Sequence, residues 1–348
     1  MVATAMPLLR KQAWWIRVFD FPRLQIIAGA VLSLAAAVLL GLHQWWWGVG
    51  LEVLLGASAA YQAVCIWPYT FLHSKQVDDS DPEGRANPNR QISLMVANVL
   101  MTNRDAQTCL RVIRECNPDI LLAVETDQWW LNQLDVLEDE YPYTCHQPLP
   151  NTYGLLFFSR LKLINPTIRY LVEEEVPSLH TQVELPSGEL VQLYCLHPKP
   201  PAPQESKTST PRDAELLLVG REIEHLNGPT IVAGDMNDVA WSHTSELFRR
   251  ISGLLDPRVG RGMMPTFHAE HALLRWPLDH IFHSPHFKVL GMSRLPYIGS
   301  DHFPICLTLS FEPEDEVEQE ANTEEPDAED HEEATEKIEK GLRESKAQ

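Results

Sequence analysis

Residues 230–237 read TIVAGDMN, a short apolar run that leads into the polar residues Asp235 and Asn237. The apolar part, Thr230 to Ala233, has the length and composition of a buried strand. Alternate positions of an extended segment point to the same side, so the two polar side chains can face one pocket. Gly-Asp-x-Asn also forms ordinary turns through side-chain hydrogen bonds, and this stretch alone leaves that alternative open.

The same pattern, polar residues placed just after a strand-like apolar run, recurs at other points along the chain. Carboxylates, amides and imidazoles that collect at one edge of a sheet can bind a hard divalent cation and activate water beside a phosphate. Together and in this order, the fragments predict a metal-dependent phosphoesterase. Besides Asp235 and Asn237, they are Asn98, Glu125, Ser159-Arg160, His197-Pro198, Leu278-Asp279-His280-Ile281 and Ser300-Asp301-His302.

Glu125 is the first candidate metal ligand, because it ends a wholly apolar run from Ile120 to Val124. Its carboxylate should therefore emerge at the edge of the sheet rather than on a solvated face. Mg²⁺ typically takes only one or two carboxylates from a protein and keeps several waters, which fits a single glutamate at this position. The alternative is that Glu125 caps the helix that follows.

Asp279 and His302 are the candidate acid–base pair. A buried carboxylate that is bonded to one ring nitrogen fixes the histidine tautomer and raises the basicity of the other nitrogen. The imidazole could then act as a general base or, when charged, stabilise a pentavalent phosphate. Asp301 can reach a metal directly or through water, and His197 can donate to a non-bridging oxygen of the transition state.

Two uncharged apolar runs, Leu24 to Leu42 and Val53 to Leu72, lie near the N-terminus. Each is about long enough to cross a ~30 Å hydrocarbon core as a helix. Tryptophans lie between the runs and at their outer ends, and such amphipathic rings prefer the headgroup layer of a bilayer. We therefore predict two transmembrane helices within residues 24–72. The alternative is a hydrophobic helical hairpin packed on the rest of the protein.

Charge and cysteine content indicate the compartment. Four basic residues precede the first apolar run, whereas the connection from His43 to Gly50 has neither Lys nor Arg. The positive-inside bias therefore puts the N-terminus, and after two spans the rest of the chain, in the cytoplasm. The six cysteines contain no CxxC pair and no framework spacing, which is typical of reduced thiols and argues against a zinc–thiolate site.

The formal charge of −20 over 348 residues is concentrated at the C-terminus, where residues 312–348 hold 16 acidic and 4 basic residues. These residues include few apolar side chains, so we predict a disordered acidic tail. The remainder is only mildly acidic. It shows no Lys/Arg cluster of the kind that nucleic-acid binding normally requires. Lys199, Lys207 and Arg212 remain weak candidates for contacting an anionic substrate.

Strands, hairpins and crossing helices alternate between residues 91 and 311, which predicts an α/β protein with two packed sheets and helices outside them. We predict a catalytic domain over residues 91–311, preceded by a Pro- and Asn-rich linker. The full set of predicted segments is 1–23 (interfacial N-terminus), 24–72 (two transmembrane helices), 73–90 (linker), 91–311 (catalytic domain) and 312–348 (acidic tail).

From about Gln91 to Phe311 the chain resembles the endonuclease/exonuclease/phosphatase superfamily. The resemblance rests on the ordered pieces N-V, a strand-end Glu, H-P, G-D-x-N, L-D-H-I and S-D-H. It implies a four-layer α/β sandwich and a Mg²⁺- or Mn²⁺-dependent phosphodiesterase or phosphatase that uses in-line attack of water. The segment from Trp14 to Leu72, with its WPYT exit, also looks like a membrane-anchored bacterial branch. That likeness implies an integral protein of the bacterial inner (plasma) membrane.

The resemblance also implies a role for each site residue. Asp235 would orient or deprotonate the attacking water, while Asn237 and His197 would bind the phosphate. Asp279 and His302 would supply acid–base chemistry or charge. The implied metal ligands are Glu125, Asn98 and Asp301.

Three functions remain open on the sequence alone. A tether beside the headgroups favours a phospholipid or another membrane phosphoester as substrate. A nuclease that acts on DNA or RNA is the alternative, although Leu100 stands where nucleases of abasic sites often carry an acid. The third possibility is an inactive scaffold that recruits partners through the acidic tail.

Overall fold

The apolar runs of the sequence form the strands of two sheets in a computed structural model that describes residues 1–346. The six-stranded sheet has the order β10-β11-β1-β2-β4-β3, and the five-stranded sheet has the order β5-β6-β7-β8-β9. The strands are β1 (Gln91–Asn98), β2 (Ile120–Val124), β3 (Tyr143–Gln147), β4 (Leu155–Ser159), β5 (Lys162–Arg169), β6 (Ser178–Glu184), β7 (Leu190–Leu196), β8 (Thr230–Asp235), β9 (Asp279–His283), β10 (Phe287–Arg294) and β11 (Ile305–Phe311).

Helices flank the sheets and form the N- and C-terminal segments. They are α1 (Val2–Ala5), α2 (Trp14–Arg17), α3 (Arg23–Leu39), α4 (Trp46–Ile66), α5 (Pro82–Ala86), α6 (Ala106–Cys116), α7 (Gln128–Leu134), α8 (Thr210–Glu224), α9 (His243–Ser252), α10 (Glu316–Glu320) and α11 (Ala328–Ser345).

Strand β1 shows why the sheets are buried on both faces. Leu94 and Val96 belong to the core between the two sheets, whereas Met95 and Ala97 pack with α6 and α7 on the outer face. Successive residues of a strand point to opposite faces, so a strand covered on both sides is apolar at every position. Helices α8 and α9 cover the outer face of the other sheet. The prediction of two packed sheets with helices outside them is confirmed.

Both sheets are mixed, and each contains one parallel pair. Strands β1 and β2 run parallel, as do β7 and β8, while the other neighbours are antiparallel. Parallel neighbours end at the same edge of a sheet. Asn98 at the end of β1 also bonds Asp235 at the end of β8, so the ends of these two pairs share one end of the two-sheet core.

The two N-terminal apolar runs form α3 and α4. Helix α3 has 17 residues and is long and apolar enough to cross a membrane only together with Trp14–Asp20, from which it is bent by 74°. The helix Trp46–Tyr69 is long and apolar enough by itself, and 22% of its most apolar stretch is buried. It begins earlier than predicted, since Trp46 and Trp47 belong to the helix and not to the connection. The two-span hairpin stays a prediction.

The base of this hairpin packs on the rest of the protein. Ile66 and Tyr69 share an apolar cluster with Trp241 and Leu278, and the Tyr69 hydroxyl donates to the Ala240 carbonyl at 2.8 Å. The segment predicted as a linker is also packed, because Val77 is fully buried in the core between the sheets. The N-terminal helices and the sheets are therefore in direct contact.

The disordered acidic tail predicted from the sequence is not seen in residues 312–346. Helix α11 packs on α8 and α9 through Ala334 and Ile338, which form an apolar cluster with Leu217 and Ile251. A Cβ at Gly341 would lie 2.3 Å from the Ala214 Cβ, which shows how closely the helices cross.

Charge pairing adds to this packing. Arg250 contacts Asp330 at 2.8 Å, and Lys337 contacts the buried Asp213 at 3.4 Å. The prediction was wrong because a single apolar stripe on α11, supported by specific ion pairs, suffices when a partner surface is present.

Replacing Ile338 with alanine is expected to lower the melting temperature by about 4–8 °C, since truncating a buried aliphatic side chain costs about 2 kcal/mol. Thermal unfolding followed by intrinsic fluorescence measures the shift. Val317→Ala is the matched control, because Val317 is 80% exposed. Equal melting temperatures for both variants would contradict the packed helix.

Candidate active site

The polar residues that end the parallel strands meet at one edge of the two-sheet core. Asn98 ends β1 and Glu125 follows β2, while His197 follows β7 and Asp235 ends β8. Asp279 begins the antiparallel strand β9 directly opposite Asp235. The register therefore gathers five of the predicted residues from positions far apart in the sequence.

The backbone at this edge takes conformations that are rare elsewhere. Glu125 and Asn237 have φ angles of 59° and 51°, in the left-handed region. Gly234 has φ of 148°, and a Cβ there would lie 1.8 Å from the Leu196 carbonyl oxygen. Only glycine fits that position, because β7 and β8 approach so closely. A left-handed glutamate is unusual, and such conformations concentrate at functional sites.

Asn98 links the two carboxylates at the centre of the site. Its Nδ2 donates to Glu125 Oε1 at 2.7 Å and to Asp235 Oδ2 at 3.0 Å, while its Oδ1 accepts from the Leu100 backbone N–H at 3.0 Å. The amide nitrogen, not the oxygen, thus faces the carboxylates. In this arrangement Asn98 holds Glu125 and Asp235 together and does not offer a metal-ligating oxygen.

His302 lies between two aspartates. Its Nδ1 is 2.7 Å from Asp279 Oδ2, and its Nε2 is 3.5 Å from Asp235 Oδ2. The His197 Nε2 lies 3.9 Å from the same Asp235 oxygen. All four side chains are buried, so these interactions are only weakly screened by solvent. The pairing of Asp279 with one ring nitrogen has the geometry expected of an acid–base dyad.

Asn237 and Asp301 sit at the margins of this cluster. The Asn237 backbone N–H donates to Asp235 Oδ1 at 2.9 Å, and its Nδ2 donates to the Pro198 carbonyl at 3.0 Å. Asp301 is half-buried, and within residues 1–346 it lies outside both groups of side chains whose ligand atoms are within 4.8 Å of one another. Those groups are Glu125, His197 and Asp235, and Asp235, Asp279 and His302.

Burial and crowding shift the protonation of these groups. Burial raises the pKa of Glu125 to about 7 and also raises the pKa of Asp235. Burial lowers the pKa of His197. Burial also acts to lower the pKa of His302, but the Asp279 and Asp235 carboxylates outweigh this effect and raise the pKa to about 10. The two carboxylates therefore favour the charged form of His302.

The donor set fits a hard divalent cation. Glu125 and Asp235 place carboxylates together in a buried site, and the pKa of each is raised because the charged form lacks sufficient compensation there. Asp279 Oδ1 and His197 Nδ1 are buried without a hydrogen-bond partner. Oxygen and imidazole ligands of this kind hold divalent ions, which would offset the buried charge.

Residues 95–302 match the sequence pattern described as the Endonuclease/Exonuclease/phosphatase family. The chain belongs to this family. Members of the family are hydrolases that act on phosphoesters, and they generally depend on a divalent metal. No curated protein sequence matches the chain.

Solved structures of endonuclease/exonuclease/phosphatase proteins share the fold at low sequence identity. A protein of this family from Beutenbergia cavernae is 17% identical with a TM-score of 0.53, over 64% of this chain and 72% of that protein. D. rerio TDP2 complexed with single strand DNA product is 18% identical with a TM-score of 0.52, over 63% and 99%. The human Nocturnin catalytic domain with bound sulfate is 20% identical with a TM-score of 0.51, over 64% and 95%.

Arg212 is a residue whose position sequence reasoning missed. It was a weak candidate for substrate contact, but it is fully buried under the loop that carries Asn237. Its Nη1 donates to the Asn237 carbonyl at 2.7 Å, and its Nη2 lies 3.1 Å from Asp238. No local pattern indicates this role, since Asn237 and Asp238 lie 25 and 26 residues away. Arg212 positions the loop and cannot reach a substrate.

Proposed function

We propose that this protein is a membrane-anchored phosphoester hydrolase, either a phosphodiesterase or a phosphatase, that uses Mg²⁺ or Mn²⁺. The observation that carries the proposal is a continuous line of buried and half-buried polar contacts at one edge of the sheets. Such a line serves no need of packing, because buried carboxylates cost stability unless they are compensated. Its members, in order, are Glu125, Asn98, Asp235, His302 and Asp279.

Each residue of the site would have its own role in the reaction. Glu125 and Asp235 would hold the cation, with Asp301 and a turned amide of Asn98 as further ligands. When bound, the cation would neutralise charge on the phosphate. The Asp235 carboxylate would orient the attacking water and accept its proton. A bond from the water oxygen to phosphorus forms as the ester P–O bond breaks. The leaving alkoxide takes up a proton from solvent water, and Asp235 returns its own proton to solvent.

We assign His302 a charge-stabilising role rather than a general-base role. The contact with Asp279 at 2.7 Å and the raised pKa both favour the protonated ring, which has no free lone pair with which to accept a proton. An imidazolium beside Asp235 would stabilise negative charge that develops on the phosphate oxygens. His197 and Asn237 would bind the other oxygens from the loops after β7 and β8.

The anchoring part of the proposal is supported by exposed apolar surface on α3 and α4. Leu39, Trp46 and Val64 are each at least 70% exposed, although soluble proteins rarely leave large contiguous apolar patches in water. The charge bias described above favours a cytoplasmic catalytic domain. The base of the hairpin contacts Trp241 and Leu278, close to the site, which favours a substrate carried by the membrane.

The two alternative functions are a nuclease and an inactive scaffold that recruits partners. A nuclease shares the fold, as D. rerio TDP2 with its DNA product illustrates, but fold alone does not decide the substrate. A scaffold that works through a free acidic tail loses support, because α11 is folded against α8 and α9.

The test uses the full-length protein in phosphatidylcholine nanodiscs. Mg²⁺-dependent product release is measured from phospholipids and from single- and double-stranded DNA. Hydrolysis of lipid alone supports a membrane phosphoesterase, and hydrolysis of DNA alone contradicts it in favour of the nuclease. If neither the phospholipids nor the DNA substrates are hydrolysed, the proposed phosphoester hydrolase activity is contradicted for these substrates.

Glu125→Gln is expected to weaken Mn²⁺ binding by at least about 10–100-fold, because it removes a charged oxygen ligand while keeping the shape of the side chain. Electron paramagnetic resonance of free Mn²⁺ measures the affinity without any substrate. Glu138→Gln is the matched control, since this half-exposed carboxylate lies outside the site. Equal affinities for Glu125→Gln and the wild type would remove Glu125 from the metal site.

A further inference from the structure

Two arginines lie against one aromatic ring next to the candidate active site. The guanidinium carbons of Arg275 and Arg294 are 5.0 and 4.5 Å from the centre of the Phe303 ring. Phe303 directly follows His302 in the sequence. The Phe303 ring therefore contacts two positive charges, beside the residue proposed to stabilise the phosphate.

Neither arginine has a carboxylate partner within the described residues 1–346. Arg275 donates from Nε and Nη2 to the carbonyls of His268 and Ala269, and Arg294 donates from Nη1 to the carbonyl of Pro265. Burial and the charge of Arg275 both lower the pKa of Arg294. Two like charges are thus held in place by backbone groups, although the protein as a whole carries a formal charge of −20.

The backbone partners of both arginines lie in one segment, Pro265 to Ala269, and this segment contacts the dyad. Pro265 precedes Thr266, whose hydroxyl accepts from the Asp279 backbone N–H at 3.2 Å, and the Phe267 ring packs 5.0 Å from the His302 ring. The Ala269 backbone N–H donates to the Asp301 carbonyl at 2.6 Å. The positions of the arginines are therefore coupled to the positions of Asp279 and His302.

The loop that carries Arg275 also lies at the base of the N-terminal hairpin. The Gln25 side chain, in the first turn of α3, donates to the Leu273 carbonyl. Leu273 is 83% exposed and Leu274 is 47% exposed. Apolar side chains beside two unpaired guanidiniums suit a ligand that has an anionic head and an apolar body.

We propose that Arg275 and Arg294 form an anion subsite for a phosphate group of the substrate other than the one that is hydrolysed, or for its product. This inference rests on the proposed function, since it takes the neighbouring site to be the place of reaction. The planar donors of the two guanidiniums match phosphate oxygens, and Phe303 fixes their orientation. The phosphate could belong to a lipid headgroup or to a soluble phosphate.

Binding of short-chain lipids tests the subsite without any turnover. Full-length protein in detergent and excess EDTA is titrated with dihexanoyl phosphatidic acid and with dihexanoyl phosphatidylcholine. We expect the phosphomonoester lipid to bind at least about tenfold more tightly, since it can carry a second negative charge, whereas the choline cation balances the single phosphate charge of phosphatidylcholine. The double variant R275Q/R294Q should lose this preference.

R111Q/R114Q is the matched control, because it removes the same charge from exposed positions on α6. Competition by inorganic phosphate would assign the recognition to the phosphate group alone, and binding of the lipid without such competition would assign part of it to the acyl chains. Equal binding of the two lipids to the wild type would overturn the proposal, as would an equal effect of both double variants. A protein that binds but hydrolyses nothing would overturn only the proposed function.

Discussion

Replacing His302 with alanine is expected to lower the rate of phosphoester hydrolysis by about 10²–10³-fold, the usual cost of removing one preorganised electrostatic donor. The ring lies 2.7 Å from Asp279 and 3.5 Å from Asp235, so its loss also removes the positive charge between two buried carboxylates. Turnover under saturating substrate isolates the chemical step from binding. His73→Ala serves as control, because His73 is only partly buried and its ring bonds only to the Ser74 backbone carbonyl.

The companion variant Asp279→Asn separates charge stabilisation from general-base chemistry. In the folded protein the pKa of His302 is about 10, raised from an ordinary 6.5 mainly by Asp279 against the effect of burial. A charge-stabilising imidazolium is active below its pKa and loses activity as pH rises through it. Asp279→Asn should therefore move the alkaline limb of the pH–rate profile to lower pH. A general base would instead gain activity as pH rises.

The raised pKa of His302 also predicts how the stability of the folded protein depends on pH. A group whose pKa is higher in the folded state contributes its full stabilisation below the unfolded value of about 6.5, and this is lost as pH rises through about 10. The metal-free wild type should therefore lose stability over that window, and Asp279→Asn should lose less.

If His302→Ala turns over at the wild-type rate, the dyad has no catalytic role.

The site-bearing edge could be predicted from sequence because its signals are local. A buried strand such as Ile120–Val124 is apolar at every position, and a carboxylate directly after it stands out. The parallel register of β1 with β2 and of β7 with β8 then brings separate strand ends together. Side chains alternate along every strand, and parallel neighbours end at the same edge of a sheet. Both rules are general, so applying them to a sequence requires no knowledge of distant contacts.

The parts that sequence reasoning missed depend on partners far along the chain. Helix α11 looked too acidic to fold, but Ala334 and Ile338 find a surface on α8 and α9 that composition does not reveal. Val77, in the segment predicted as a linker, fills the core between the sheets for the same reason. The direction of the Asn98 amide depends on two carboxylates that only the fold brings near.

Arg212 is the residue on which folding and the site depend together, and Arg212→Met is expected to destabilise the protein by about 3–5 kcal/mol. Its guanidinium is fully buried between Asp213 and Asp238, at 2.9 and 3.1 Å. Burial acts to raise the pKa of Asp213, but Lys337 and Arg212 outweigh it, so the net pKa is lowered. Methionine fills a similar volume but leaves these carboxylates without their closest counter-charge.

The expected fall in melting temperature is about 6–20 °C, and differential scanning fluorimetry of the full-length protein measures it. Arg111→Met is the matched control, since exposed ion pairs such as that of Arg111 with Glu115 are worth at most about 1 kcal/mol. Arg212→Lys keeps the charge but loses the planar fork that also bonds the Asn237 carbonyl. It should therefore recover part of the stability while leaving Asn237 less well positioned, which predicts a raised KM and a melting temperature between those of Arg212→Met and the wild type. Equal melting temperatures for Arg212→Met and Arg111→Met would show that the buried arginine is dispensable.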